Sequence, residues 1–97
     1  MSKIDRVEGA IDKSRLSIKI FNGTPCIFYD NVPLWRTAAP LEDLDIFLYD
    51  PAKYRAQGEE ESYSIFCRDS YEDIYTYGMW DTLEEVKEWL ENPKPIY

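Results

Sequence analysis

The side chains able to do chemistry in this chain are almost all carboxylates. Nineteen Asp and Glu residues stand against eleven Lys and Arg, and there is no histidine. Without imidazole there is no Ser-His-Asp or Cys-His relay, no imidazole acid–base chemistry and none of the usual zinc sites. Paired carboxylates could in principle hydrolyse a substrate or hold a divalent cation, and Glu59-Glu60-Glu61, Glu72-Asp73 and the acids of residues 84–91 are the groups to consider. The chain has no EF-hand loop, no HExxH and no phosphate-cradling loop, since its four glycines are scattered at positions 9, 23, 58 and 78. These acids therefore read as solvated charges, and no catalysis, cofactor or metal is expected. Cys26 and Cys67 show no metal or CxxC spacing and have no histidine to activate them. Both sit in apolar, strand-like stretches, where a free cysteine packs as a small hydrophobe.

What the carboxylates can do is carry charge. Residues 1–40 have six basic and four acidic side chains, net +2, whereas residues 41–97 have five and fifteen, net −10. Such a chain repels nucleic acid and anionic membranes over most of its surface, and its natural electrostatic partner is basic. Tyrosines interleave with the acids in Tyr71-Glu72-Asp73-Ile74-Tyr75-Thr76-Tyr77. Nucleic-acid surfaces mix aromatics with Lys and Arg, so the reversed sign points to a protein partner, for which Tyr71 and Tyr75 are candidate contacts. Carboxylates two apart on a strand lie about 6.6 Å apart, and those four apart on a helix about 6 Å. Successive phosphates along one nucleic-acid strand have similar spacing. Glu84, Glu88 and Glu91 would form one such row, and Glu59, Glu61 and Glu72 or Asp73 another. The less acidic half, including Lys3 and Lys13, is expected to matter little.

The elements that position these residues follow from pattern. Ninety-seven residues, 44% hydrophobic and 15% aromatic, suffice for one globular domain, 1–97, and are too apolar for a disordered tail. No apolar run approaches the roughly 18 residues of a membrane span, and no signal-peptide stretch is seen, which places the chain in a cytoplasm. Leu16, Ile18 and Ile20 alternate with polar residues before Asn22-Gly23, and an aromatic, β-branched run follows, which predicts a hairpin. Residues 62–68 and 72–79 repeat the theme. Leu83, Val86, Trp89 and Leu90 lie on one helical face, with a cap expected at Asp81 and a stop at Asn92-Pro93. The segment Leu41 to Pro51 aligns with Leu83 to Pro93, predicting a matching helix over 41–49, although Ile46 and Tyr49 fall off its apolar stripe. A short helical extension to Gln57 closed by Gly58 is expected next, and residues 1–14 read as an amphipathic turn or two. Trp35 and Trp80 occupy matching places, each closing an end of the core. The resulting expectation is an α+β fold. Two ββα units, pseudo-repeats 16–51 and 62–93, would form a four-stranded antiparallel sheet with two helices packed on one face.

From Met1-Ser2-Lys3-Ile4-Asp5, through the Ile18-Lys19-Ile20-Phe21-Asn22-Gly23 hairpin, to Asn92-Pro93-Lys94-Pro95-Ile96-Tyr97, the chain resembles the small acidic prophage anti-CRISPR proteins that inhibit the type I-F Cascade (Csy) surveillance complex. The resemblance covers overall length and sequence and carries no diagnostic motif, so the candidate residues above come from the charge pattern alone. It implies a mimic of double-stranded DNA. Its partners would be the basic DNA-binding subunits of the complex, the PAM-reading large subunit and its neighbour, with no direct nucleic-acid contact and no membrane. The alternative is an acidic protein–protein adaptor or phage-encoded regulator that binds an unrelated basic partner. Short duplex DNA would displace a mimic and leave an adaptor in place.

Overall fold

The computed structural model describes residues 4–96, and Lys3 and Tyr97 lie outside them. Among the described residues seven strands and two short α-helices build an α+β architecture. Strands β1 (Arg6–Val7), β5 (Asp45–Tyr49), β6 (Tyr63–Arg68) and β7 (Ile74–Trp80) form a four-stranded sheet in that order. Strands β2 (Leu16–Phe21), β3 (Thr24–Tyr29) and β4 (Val32–Arg36) form a three-stranded meander. Every strand pairing is antiparallel. Helix α1 (Ala52–Arg55) is a single turn, and α2 (Leu83–Glu91) follows β7.

Local chemistry explains most of these elements. Asn22 and Gly23 both have positive φ, 52° and 78°, the geometry of the two-residue hairpin turn whose twist matches its strands. The Leu16↔Tyr29 and Ile18↔Ile27 pairs put one face of this hairpin towards the core. Opposite them, Ile46 pairs with Cys67 and Leu48 with Ile65. The cluster of Ile27, Tyr29, Ile46, Leu48, Ile65 and Tyr77 is completed by Val86 and Leu90 of α2. Each such side chain contributes roughly 1.5–3 kcal/mol on full burial.

Residues 41–49 correct the expected first helix. Leu41–Asp43 is one 3-10 turn, and Asp45–Tyr49 is a strand between β1 and β6. A helix here would leave Ile46 and Tyr49 outside its stripe, whereas in β5 all four residues Ile46–Tyr49 are buried. Ile46 and Leu48 face the core. Phe47 lies under the Arg6 guanidinium, 3.9 Å from its ring centroid, and Tyr49 stacks on Phe66 at 4.7 Å. A strand covered on both faces reads as a continuous apolar run, which single-sequence periodicity cannot separate from a helix segment.

In consequence only residues 62–93 fold as ββα. Residues 16–51 give the meander plus a strand donated to the other sheet, so the fold has two packed sheets with the Val86 and Leu90 face of α2 in the core. Helix α1 buries none of its residues, though the expected extension is present: the Asp50 carboxylate accepts from Ala52 N at 3.0 Å, and Gly58 closes the segment with φ 84°. The two tryptophans are likewise unmatched, because Trp80 is core while Trp35 lies in β4 and donates its indole N–H to the Thr76 carbonyl at 3.1 Å. Near the N-terminus, Val7 pairs with Leu48 in a strand in place of a helical turn. Helix α2 is as expected, except that Thr82, one residue after Asp81, caps it by accepting from Glu85 N at 3.2 Å.

Candidate partner-binding surface

All nine candidate residues, Glu59, Glu61, Tyr71, Glu72, Asp73, Tyr75, Glu84, Glu88 and Glu91, are solvent-exposed, and the fold divides them between two places. The first is the end of the β6–β7 hairpin where α2 begins. Tyr63 pairs with Trp80, so the segment 59–62 entering β6 runs beside Asp81 and the start of α2. Glu59, Glu60, Glu61 and Asp81 line one open groove of about 520 Å³, together with Arg55 and Met79. Arg55 is turned to the backbone there, donating Nε–H to the Glu61 carbonyl at 2.8 Å.

Helix α2 starts at this acidic end and carries a second set of carboxylates. At 100° per residue, Glu84, Glu88 and Glu91 fall within roughly 60° of one another, opposite the buried Val86 and Leu90. Lys87 flanks the row. Glu84 and Glu85 sit in the first turn, where the helix dipole favours negative charge, but Glu91 sits at the end where it does not. Arg15 offsets this by donating to the Leu90 carbonyl at 2.7 Å. Asp81 and Glu60 join the site, although the sequence placed Asp81 as a helix cap and left Glu60 out of the partner-binding rows. Their signal was the hairpin pairing, which lays the residues before β6 beside those after β7.

The second place is the opposite end of the hairpin. Strand β6 spans six residues, about 17 Å at 3.3–3.4 Å each, which separates Glu72 and Asp73 from Glu59 and Glu61. The single row expected of these four therefore does not form. The β6–β7 turn is built on Asp69, whose Oδ1 accepts from Tyr71 N at 2.9 Å and Asp73 N at 3.0 Å. Glu72 takes a positive φ of 66°, and Tyr71 projects with 85% of its surface exposed. Tyr75, in register with Cys67, stands at the mouth of a cleft of about 440 Å³ between the two sheets. Trp35 and Tyr71 share its walls with Arg36, Asp43 and Asp69, and Ile27 and Cys67 line it deeper in.

Ion pairs among the described residues join Arg6 and Arg68 to Asp45 and Arg15 to Asp30, and none involves a candidate carboxylate. Hydrogen bonds from Arg6 hold Asp45 below the usual carboxylate range, and those from Arg15 do the same for Asp30. Burial, with help from Asp69 and Asp45, pushes the Cys67 thiol up to about 11, so it is a protonated packing group at neutral pH. Among the described residues no three acidic or cysteine side chains converge as a metal site, and no helix is long and apolar enough to cross a membrane. No family model matches the chain, nor does any curated protein or solved structure.

Proposed function

We propose that the protein is a phage anti-CRISPR inhibitor that imitates double-stranded DNA and blocks target binding by the type I-F CRISPR surveillance complex in the bacterial cytoplasm. One observation carries this reading: the acidic groove of Glu59, Glu61 and Asp81 lies where α2 begins, α2 carries the exposed row Glu84, Glu88 and Glu91, and among the described residues none of these acids is in an internal ion pair. The 6 Å rise from Glu84 to Glu88 approximates one phosphate step. Glu84, Glu88 and Glu91 are mounted on a capped helix, so the backbone spacing of that row is held before binding. Such preorganisation lowers the entropic cost of matching a row of Lys and Arg.

A surface that replaces DNA must compete with DNA. Short duplex DNA bearing the PAM should displace the protein from the purified surveillance complex, and association should slow as salt rises, because the encounter is electrostatically steered. Simultaneous, non-competing occupancy by duplex and protein would refute the mimicry and favour an adaptor for a basic partner.

A further inference from the structure

The inter-sheet cleft at the Tyr71–Tyr75 end offers a different kind of contact from the carboxylate row. Its walls combine three aromatic side chains, Trp35, Tyr71 and Tyr75, with the carboxylates of Asp43 and Asp69. Rings beside carboxylates attract a cation twice over, through the ring quadrupole and through direct charge. This chain satisfies its own arginines in that way. Arg6 lies over Phe47 while its Nη1 and Nη2 reach Asp45 at 2.9 and 2.8 Å. Arg15 lies 4.9 Å from the Tyr29 ring centroid while bonded to Asp30. Among the described residues no lysine or arginine stacks on Trp35, Tyr71 or Tyr75.

We propose that this cleft receives one arginine side chain projecting from the basic partner, stacked on the Tyr75 and Trp35 side and paired with Asp43 or Asp69. The occupant follows from charge and shape. Among the described residues Arg36 is the one cation on the walls, against two carboxylates, and exposed Glu42, Glu72 and Asp73 stand beside the lining residues in the chain. Arg68, next to Asp69, is engaged with Asp45 and does not offset them. A planar guanidinium suits a slot with aromatic walls better than an ammonium does. The proposal rests on the reading that the partner is a basic protein, and names a second anchor on it, at the far end of the hairpin from the carboxylate row.

The test titrates the full chain with N-acetyl-arginine amide, followed by two-dimensional amide and aromatic NMR, with the neutral N-acetyl-citrulline amide as control. The expected result is saturable shifts at the Trp35 indole and the Tyr71 and Tyr75 rings, produced by the arginine compound alone. Tyr75→Leu should weaken them about fivefold, the size of a cation–π contact. Asp43→Asn should also weaken them, and Arg36→Gln should strengthen them. Amide spectra unchanged away from the cleft would show that each variant is folded. Equal shifts with citrulline, or shifts spread over residues 59–61 and 84–91 without saturation, would overturn the proposal. Because no surveillance complex is present, this outcome is independent of whether the protein competes with DNA.

Discussion

The indole of Trp80 packs so closely on Gly78 that a Cβ at position 78 would overlap three of its ring carbons, Cη2, Cζ3 and Cζ2. Gly78 also has a φ of 79°, and its carbonyl accepts the buried Ser64 hydroxyl at 2.7 Å. Trp80 thereby turns inward at the end of β7, and the chain leaves the sheet beside the acidic groove.

Gly78→Ala should consequently destabilise the fold by about 2–5 kcal/mol, combining a left-handed backbone penalty with overpacking. Urea unfolding followed by tryptophan fluorescence would measure this. A cost below 1 kcal/mol would mean that the indole can move aside.

The Arg6–Asp45 pair makes a pH-dependent contribution. Because Arg6 lowers the Asp45 pKa in the folded chain, the unfolded chain binds that proton more readily. The stabilisation is complete above about pH 5 and drains away as pH falls through the ordinary aspartate range and the lower native value. Arg6→Met should be less stable than the parent at pH 7, with the gap narrowing on acidification. A gap that stays constant down to about pH 2.5 would contradict the coupling.

Cysteine chemistry provides a third check. Cys26 and Cys67 are 5% and 2% exposed and unbonded, and burial raises the Cys67 thiol to about 11. Iodoacetamide at about pH 8 should leave Cys67 unmodified in the native protein and alkylate both cysteines in urea. Rapid native labelling of Cys67 would show that the inter-sheet cleft opens more deeply than its walls indicate.

Much of this architecture is legible in local sequence, where one residue's chemistry dominates. Asn22-Gly23 forces a hairpin, Gly58 ends the α1 segment, and the Val86/Leu90 stripe with Asn92-Pro93 sets α2. Strand β5 was not legible, because Ile46–Tyr49 owes its state to partners distant in sequence: Val7 on one side, Ile65 and Phe66 on the other. The misfit of Ile46 and Tyr49 with a helical stripe was the available sign. The candidate surface divides in the same way. The helical row follows from spacing within α2, but joining Glu59 and Glu61 to Asp81, and parting them from Glu72 and Asp73, required knowing which ends of β6 and β7 meet.

The most direct measurement is target-DNA binding by the type I-F surveillance complex in the presence of charge-reversed variants. One variant reverses Glu59, Glu61 and Asp81 to Lys, and the other reverses Glu84, Glu88 and Glu91. An isolated exposed ion pair is worth about 0–1 kcal/mol, but several carboxylates facing one basic site act together. Each triple variant should keep its circular dichroism spectrum and lose inhibition at physiological salt, while Lys13→Glu should inhibit as the parent does. If both folded triple variants still keep DNA off the complex, the carboxylates do not stand in for phosphates.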